Sequence, residues 1–549
     1  MKRLRAWLMV GGVVAALVAG GARPARACGG FFCSSVPVDQ SGEQIIFSLT
    51  PNHVTAYIQI SYSGAAKDFA WVVPVSAKPE ITLGSQAVFQ AVAGLTTPQF
   101  RVDWVGDAGF CGVLRGPVLA PGAMTAGAVD DKGVNVLDAR DVGPFATVTL
   151  QAHDSGELLK WLDDNGFQQP DGALPLIEHY VQAHMLFVAL RLKQNATAGD
   201  IQPIVLDMAS SEPCVPLILT RIAAQNDMPV SVYVLGAHRA FPENWFHVVV
   251  DEAKINWSQG GTNYRDLVTA AINEAGGHGF VTEFAGSSTL MKDVIYKAGL
   301  YDPTALAGIT DPGVLISMLL KMGYPRDASM QALLRKWIPM PASVAAMGVT
   351  EQQFYGNVHQ YQAQLDAAGY VLDINGFIAD LEARLIKPLQ TAQAMFDAQP
   401  YLTRLLSTVS PEEMTRDPIF TLNAQLPDVS NEHVAKADGT CMPDGSAKNV
   451  TLELEDGRRI ALGDLPPYYQ PSTWTYGQAL PAAQRIELVG PDGAAVAVAP
   501  GEVASIDKAL DTMLPEIVRT MPKSMTPAAT GGSGGCACAV PGRGRGRAG

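Results

Sequence analysis

The chain has 549 residues, of which 48% are hydrophobic and 17% charged, so it can form two or three domains with substantial cores. Its formal net charge of −14 at pH 7 argues against nucleic acid and anionic membrane surfaces as partners. After residue 27, no segment reaches the roughly 18–20 consecutive apolar residues that a membrane-spanning helix requires. We therefore expect a mature chain without a transmembrane span.

The first 27 residues have the pattern of a secretory signal peptide. Basic residues open the segment, residues 6–21 are apolar, and Ala25 and Ala27 supply the small residues of a cleavage site. The pattern predicts export, with cleavage after Ala27 and an oxidising environment for the cysteines. Removal of this segment, which holds five basic residues and no acidic ones, takes the net charge from −14 to −19.

Seven cysteines follow this segment, and the favoured interpretation is a set of structural disulfides. The body of the chain holds an odd number of candidates, so at least one is unpaired or bridged to the two cysteines of the tail. The candidates in the body are Cys28, Cys33, Cys111, Cys214 and Cys441. A zinc site is not supported, because the sequence contains no CxxC pair. A lipid anchor on Cys28 is disfavoured because Ala25 and Arg26 do not fit the positions that precede a lipidated cysteine.

In the first third of the chain, alternation of apolar and polar residues predicts strands at 54–62 and 69–75, joined as a hairpin. A short helix is expected from about Ser85 to Gly94, followed by a glycine-rich loop over 106–133. The strongest helix signal is DSGELLKWLDDNGF, which Asp154 or Ser155 would cap and Gly166 would end.

Residues 184–251 contain successive strand-like segments at roughly ten-residue spacing, including VPLILTRI at 215–222, and predict an antiparallel sheet or sandwich. Residues 264–406 have helical periodicity, and strands return after Pro411. The predicted fold class is α+β: a largely antiparallel, β-rich N-terminal domain with packed helices, a helical middle region and a small C-terminal β segment. The expected divisions are 1–27, 28–300, 301–410, 411–525 and a Gly/Arg tail at 526–549.

Candidate chemistry is sparse. Glu178, His179 and His184 are close in sequence, but two histidines five residues apart do not share a helix face, so a metal site is not predicted. His278 and Glu283 could form an acid–base pair, although no nucleophile accompanies them.

Two further groups of residues have structural interpretations. The acidic run at Asp163 and Asp164 could bind calcium, but a solvated helix end is preferred. Trp71, Trp161, Trp245 and Trp257 are expected in cores. No catalytic, cofactor-binding or metal-binding motif is found, and none is predicted.

Several motifs together resemble a bacterial secreted family known as domain of unknown function 2330. The resemblance covers about residues 28–300 and is carried by these segments: CGGFFC, PVDQ, FAWVVPV, GPFATVTL, LLKWLDDNGF, DIQPIVL, EPCVPLILT, INWSQGGTNY and AGGHGFVTEFAG. It implies an exported bacterial protein and supplies no reaction and no site residues.

The tail is similar to the start of a MYXO-CTERM sorting signal, with Cys536 and Cys538 as processing candidates. The apolar span of that signal is missing, so either the anchoring is lost and the protein is released, or the reading frame ends wrongly.

The sequence therefore predicts a secreted or cell-surface protein, non-enzymatic, that serves as an envelope component or a binding protein with an unknown extracellular or cell-envelope partner. Two alternatives remain: a glycan- or peptide-binding module, which would show aromatic side chains in a groove, and a secreted hydrolase with an unrecognised site. A hydrolase would show a deep pocket with converging polar residues and a perturbed pKa.

Overall fold

The computed structural model describes residues 39–63, 70–105, 135–165, 167, 172–193, 201–210, 213–490 and 493–520. The predicted signal peptide, the CGGFFC segment, Cys111 and the cysteine-containing tail lie outside these residues.

The strands, numbered in chain order, are β1 (Asp39–Thr50), β2 (His53–Ser63), β3 (Ala70–Val75), β4 (Glu80–Leu83), β5 (Gln99–Trp104), β6 (Asn135–Val142), β7 (Phe145–Gln151), β8 (Leu186–Leu192), β9 (Ile204–Met208), β10 (Met228–Gly236), β11 (Arg239–Pro242), β12 (Phe246–Val250), β13 (Gly279–Ser287), β14 (Tyr401–Val409), β15 (Phe420–Asn423), β16 (Glu432–Cys441), β17 (Ala447–Glu453), β18 (Arg459–Leu465), β19 (Ala483–Leu488) and β20 (Val496–Ala497).

The α-helices are α1 (Gln86–Thr96), α2 (Ser155–Asp164), α3 (Ala173–Gln182), α4 (Leu217–Thr220), α5 (Tyr264–Glu274), α6 (Pro312–Lys321), α7 (Ala328–Trp337), α8 (Ala342–Ala345), α9 (Glu351–Gly356), α10 (Gln362–Ala367), α11 (Ile374–Leu381), α12 (Lys387–Ala398) and α13 (Val503–Thr520). A π-helical segment, Glu382–Ile386, joins α11 to α12.

A central sheet runs in the order β20-β19-β12-β13-β14-β10-β1-β2-β9-β4. Both faces of its middle strands are covered: Ile45 and Phe47 of β1 pack into one core and Ile46 into another. A strand buried on both faces favours an apolar run over simple alternation, and the IIF sequence of β1 has this character. The sheet therefore separates two layers of the protein.

One of these layers is a second sheet in the order β3-β8-β7-β6, which packs on β1, β2, β9 and β10 as a sandwich. The expected hairpin between residues 54–62 and 69–75 is wrong, because β2 pairs with β1 and β9 while β3 pairs with β8. Alternation predicted each strand correctly, but partner choice depends on long-range contacts that local sequence does not contain.

The outer face of the second sheet is covered by α2, α3 and α4. Of the two capping candidates in the sequence, Asp154 caps α2 by accepting a hydrogen bond from the Glu157 backbone N–H at 2.9 Å. The segment at 215–222, expected as a strand, instead contains α4. Pro216 stands immediately before this helix, where the missing proline N–H costs nothing, and its apolar residues are buried under sheet and helices.

The helical middle region lies on the opposite face of the central sheet. Helices α6 to α12 pack with α1 against Tyr57, Tyr233 and Leu402. The single helix expected over 351–368 is divided into α9, a 3-10 turn and α10. Gly356 and Asn357 lie at this break, and both residue types are poor helix formers.

The C-terminal strands join the rest of the structure at two points. β16 pairs in parallel with β5, and β19 pairs antiparallel with β12 of the central sheet. Their apolar residues form one core with α5 and α13. The expected divisions at residues 300 and 410 stay predictions.

The fold class predicted from the sequence, α+β with a β-rich N-terminal region, is confirmed. The strand pairings are largely antiparallel, with parallel pairs at β1–β10, β12–β13 and β5–β16. Among the described residues, no helix is both long and apolar enough to cross a membrane.

Candidate functional site

The acid–base pair considered for His278 and Glu283 does not form. His278 Nδ1 lies 3.0 Å from both carboxylate oxygens of Asp507, and its Nε2 lies 2.7 Å from the Glu413 backbone oxygen. Glu283 instead binds Arg404, with 2.5 Å between Oε2 and Nε. A β-bulge between Thr282 and Phe284 lies at this point of β13.

His278 and its neighbours fasten α13 to the body of the protein. Arg416 donates to Asp507 and Asp511 of α13, and its Nε donates to the Asn244 backbone oxygen at 3.0 Å. Hydrogen bonds from His278 and charge attraction from Arg416 outweigh burial and lower the pKa of Asp507. Among the described residues, no buried side-chain N or O atom of His278, Arg416 or Asp507 lacks a hydrogen-bond partner, so the cluster has a structural role that holds α13 in place.

The other residues singled out in the sequence also have local roles. Trp71, Trp161, Trp245 and Trp257 are all buried, which confirms the prediction that they lie in cores. His179 lies on α3, and burial lowers its pKa. In the part of the chain that is described, no three His, Cys, Asp or Glu side chains are grouped closely enough to hold a metal ion.

Two of the five body cysteines fall within the described residues. Cys214 and Cys441 are disulfide-bonded. Cys28, Cys33 and Cys111 lie outside the described residues, as do Ala27, Cys536 and Cys538. The sequence predicts no particular pairing among the cysteines.

Two buried carboxyl groups lie apart from the residues that the sequence singles out. Burial raises the pKa of Glu43 and of Asp417 to about 7, and the Asp417 charge adds to the effect on Glu43. Asp417 accepts hydrogen bonds from the Tyr180 hydroxyl and the Ile218 N–H, each at 2.7 Å, and so caps α4 from a distant segment. Sequence reasoning missed both residues, because only the tertiary structure buries them.

An open cleft of about 400 Å³ lies on the outer face of the second sheet, beside the C-terminal end of α2. The sheet surface in the cleft is formed largely by small side chains, Ala139, Ala146 and Ala189, on three adjacent strands. Since larger residues at these positions would fill the space, the alanines create the depression. Its volume lies within the range of ligand-binding pockets.

The inner wall of the cleft combines aromatic rings with an amide. Trp161 and Phe167 stand with their ring centroids 6.0 Å apart and are almost fully buried. Between them in sequence, Asn165 is only 2% exposed. Its Nδ2 donates to the Trp161 backbone oxygen at 2.7 Å, which fixes the orientation of the amide group.

The Oδ1 atom of Asn165 is buried, and no donor among the described residues reaches it. A buried carbonyl without a donor is costly, and native proteins contain few of them. Its position in a cleft wall gives the group a functional interpretation: a bound molecule with an O–H or N–H group could satisfy it. The sequence contains a weak signal for this residue, an asparagine at a helix C-cap, but that position usually has a structural explanation.

Charged residues complete the cleft. Arg191 donates to the Asn165 backbone oxygen at 2.8 Å, and its guanidinium lies 5.7 Å from the centroid of the Phe167 ring. Asp141 lines the opposite side on β6, whereas the side chain of Arg140 points to the other face of the sheet, because its cross-strand neighbour Thr147 pairs with Leu190 of the inner core. Asp141 is bound to Lys193, with 2.7 Å between Oδ2 and Nζ, so its charge is offset.

A second cavity lies inside the sandwich and is much smaller, about 40 Å³. Apolar side chains such as Ile45, Phe47 and Val73 line most of it, together with Cys214. This volume suits no more than a few water molecules, and its lining offers few polar partners. The outer cleft is therefore the better candidate site.

Comparison with known proteins adds one match. Searches of curated proteins and of solved structures gave no match to this chain. The model of a bacterial family, described as uncharacterized protein conserved in bacteria, matches residues 23–421, which extends beyond the expected limit near residue 300. Because the match covers well over half of the chain, this protein belongs to the bacterial family known as domain of unknown function 2330.

Proposed function

We propose that this protein is an exported, non-enzymatic bacterial protein that binds a small polar ligand in the outer cleft. The observation that carries the proposal is the unpartnered Oδ1 of Asn165 in a cleft that also presents aromatic and guanidinium groups. Recognition sites commonly combine an apolar lining with a few fixed polar groups, and this cleft has that composition.

Binding is favoured over catalysis because the acid groups with raised pKa values lie elsewhere. Glu43, Asp327 and Asp417 are each buried in a core, and none of them lines the cleft. Their raised pKa values follow from burial among structural hydrogen bonds. General acid–base catalysis would require such a group within hydrogen-bond reach of a bound substrate.

Export is supported by the signal-like first 27 residues and by the cysteines that follow them. It is tested by fractionating the native bacterium into cytoplasm, envelope and medium, with peptide mass mapping of each. Recovery of a chain starting at Cys28 in the envelope or the medium is expected. An intact Met1 start confined to the cytoplasm would contradict export.

Binding in the cleft is tested by saturation-transfer NMR with glucose, glucuronate and the dipeptide Gly-Gly as probes. The variant Ala146→Phe fills the depression from its sheet surface and should abolish the signals of any bound probe. Val136→Phe is the matched control, because Val136 is exposed on the neighbouring strand β6 and does not line the cleft. Transfer that is equal in both variants would place binding elsewhere and contradict the proposal.

A further inference from the structure

Two buried histidines lie where C-terminal elements dock on the rest of the protein. His247 on β12 binds Glu487 on β19, and His278, just before β13, binds Asp507 on α13. The two histidines are 8% and 4% exposed. Each pair joins the region that the family model matches to an element beyond residue 421. The hydrogen-bond partners of the two rings require opposite protonation states.

The contacts of His278 require the charged ring. Its Nδ1 lies 3.0 Å from both carboxylate oxygens of Asp507, and its Nε2 lies 2.7 Å from the backbone oxygen of Glu413. The hydroxyl of Thr415 is farther from Nε2, at 3.1 Å, and can accept as well as donate. Because an ionised carboxylate and a carbonyl oxygen only accept hydrogen bonds, both ring nitrogens must carry a proton.

The charges around His278 agree with a cationic ring. Among the described residues, α13 contributes Asp507 and Asp511, and the Glu413 carboxylate packs against the neighbouring Gly277. Arg416 brings one positive charge, which it shares between the two aspartates. Three carboxylates around one guanidinium favour a further cation, and the charged ring supplies it.

The contacts of His247 require the neutral ring. Its Nδ1 lies 3.0 Å from Glu487 Oε2, and its Nε2 lies 3.2 Å from a guanidinium nitrogen of Arg239. A guanidinium only donates, so Nε2 must accept and Nδ1 must carry the proton. Burial and the Arg239 charge lower the pKa of His247, and the hydrogen bond to Glu487 offsets them only in part.

The charges around His247 also favour the neutral form. Its immediate charged neighbours are the guanidinium groups of Arg239 and Arg485 and the carboxylate of Glu487. A proton on Nε2 would place two positive charges against each other in a buried position, which is costly. Two further titratable groups act on Arg239: Tyr401 and Asp428.

We propose that these two histidines form a pH-sensitive clamp on β19 and α13, which is complete only while His278 is charged and His247 is neutral. Acidification protonates His247, turns its Nε2–H against Arg239 and weakens the attachment of β19. A rising pH deprotonates His278, removes one of its two hydrogen bonds and weakens the attachment of α13. The clamp is independent of the outer cleft.

The test is hydrogen exchange of the full mature chain, followed by mass spectrometry on both sides of the ordinary histidine pKa of about 6.5 and corrected for intrinsic exchange rates. Peptides that cover β19 should lose protection as the pH falls below 6.5, because the folded pKa of His247 lies below that value. Peptides that cover α13 should lose protection as the pH rises. Each loss is at most about tenfold per pH unit, the limit for one titrating group.

Single variants assign the two losses. His247→Gln keeps a donor for Glu487 and an acceptor for Arg239 but does not titrate, so β19 should stay protected at acidic pH. His278→Gln cannot donate from both ends of its side chain, so α13 should be less protected throughout and should no longer respond to pH.

His53→Gln is the matched control. His53 Nε2 lies 2.7 Å from Asp207 Oδ1, but both residues lie on strands of the matched region, β2 and β9. The pH dependence of β19 and α13 should be unchanged in this variant. A wild-type chain in which either loss is missing overturns the clamp, whether or not the variants fold. Losses that persist in both the His247 and the His278 variants overturn it as well.

Discussion

Several buried polar residues of this protein act as ties between distant segments rather than as chemical groups. Asp417 joins α3 and α4 through the Tyr180 hydroxyl and the Ile218 N–H. Arg404 on β14 binds Glu283 on β13 and donates to Thr97 just beyond α1 at 2.7 Å. Because burial penalises an unpaired charge, each tie is strong only while all of its partners are present.

The first prediction concerns Glu43 and Asp417 and the dependence of stability on pH. Both folded pKa values, about 7, lie above the ordinary values of 4.5 for a glutamate and 3.8 for an aspartate. At these two groups the folded state therefore holds more protons than the unfolded state between about pH 4.5 and 7, and their contribution to stability falls as the pH rises through that window. Each group contributes a slope of at most about 1.4 kcal/mol per pH unit.

Urea unfolding at pH 5, 6, 7 and 8, in steps of roughly one pH unit, measures how the free energy of unfolding depends on pH. We expect Glu43→Gln to flatten the decline, and Glu80→Gln, an exposed glutamate on β4, to leave it unchanged. Glu487, whose pKa hydrogen bonding lowers to about 2 against the effect of burial, loses its contribution only at more acidic pH and does not obscure the window. Burial lowers the pKa of His179 and His247, which act in the opposite direction over part of this window, so the comparison with Glu43→Gln is decisive. A difference from the wild type that does not change between pH 5 and 7 would contradict the prediction.

The second prediction concerns the ion pair between Glu283 and Arg404, which are 3% and 8% exposed. Glu283→Ala should lower the free energy of unfolding by about 3–5 kcal/mol, because it leaves the guanidinium buried without its carboxylate. The double variant with Arg404→Met should recover part of that loss. Urea unfolding measures both.

The control for this ion pair is Glu351→Ala, which breaks the more exposed contact with Arg335. A loss of at most about 1 kcal/mol is expected there. If Glu283→Ala costs no more than this control, the buried pair is not a tie.

At the scale of elements, helix caps in this protein connect neighbouring helices. Ser85 caps α1 through the Ala87 N–H, and Asp327 caps α7 through the Met330 N–H. The two caps also bind each other, since the Ser85 hydroxyl donates to Asp327 Oδ2 at 2.8 Å. The first turns of α1 and α7, which are far apart in sequence, are therefore joined by a hydrogen bond on the helical face of the central sheet.

The third prediction is that these two caps are energetically coupled. A double-mutant cycle with Ser85→Ala and Asp327→Ala should give an interaction free energy of about 1 kcal/mol or more, since both residues are buried and share a hydrogen bond. Thermal or urea unfolding of the four proteins supplies the measurement.

Asp311→Ala is the control for the coupling, because Asp311 caps α6 through the Val314 N–H but does not contact Ser85. Its cost of about 1 kcal/mol should add to that of Ser85→Ala. Additive costs for Ser85 and Asp327 as well would mean that the two caps act independently.

At the scale of the whole molecule, the family match ends near residue 421, but residues beyond that point pack into the same core as residues before it. Strands β16 and β19 pair with β5 and β12, and residues from both sides of residue 421 form a single core. The C-terminal strands thus supply partners that the matched region lacks by itself.

The fourth prediction is that a chain truncated after residue 421 loses its cooperative fold. Removal of β16 to β19 exposes the apolar faces of β12 and α5 and leaves β5 unpaired. Size-exclusion chromatography and circular dichroism should show aggregation or a lower content of secondary structure. A chain that ends at residue 525 serves as the control, and both this chain and the full chain should unfold in one transition.

Independent, two-step unfolding of the full chain, together with a stable folded product of the truncation, would contradict this fourth prediction. That result would support the division near residue 410 that the sequence suggests.

By itself, the sequence determined many of the local elements and the family. Periodicity located α1, α2, α5 and α7, and the adjacent capping candidates Asp154 and Ser155 marked the start of α2, because these signals depend on residues within one or two turns of each other. Clustered motifs identified the family for the same reason, since each motif is a short local pattern.

Only the tertiary structure decided which strands pair and which polar groups meet. The pairing of β3 with β8 rather than with β2, the ties from His278 to Asp507 and from Glu283 to Arg404, and the cleft at Asn165 all join segments distant in sequence. Alternation states that a strand has a buried face, but not what buries it. Burial, and with it the raised pKa of Glu43 and the unpartnered oxygen of Asn165, arises only when the layers are assembled.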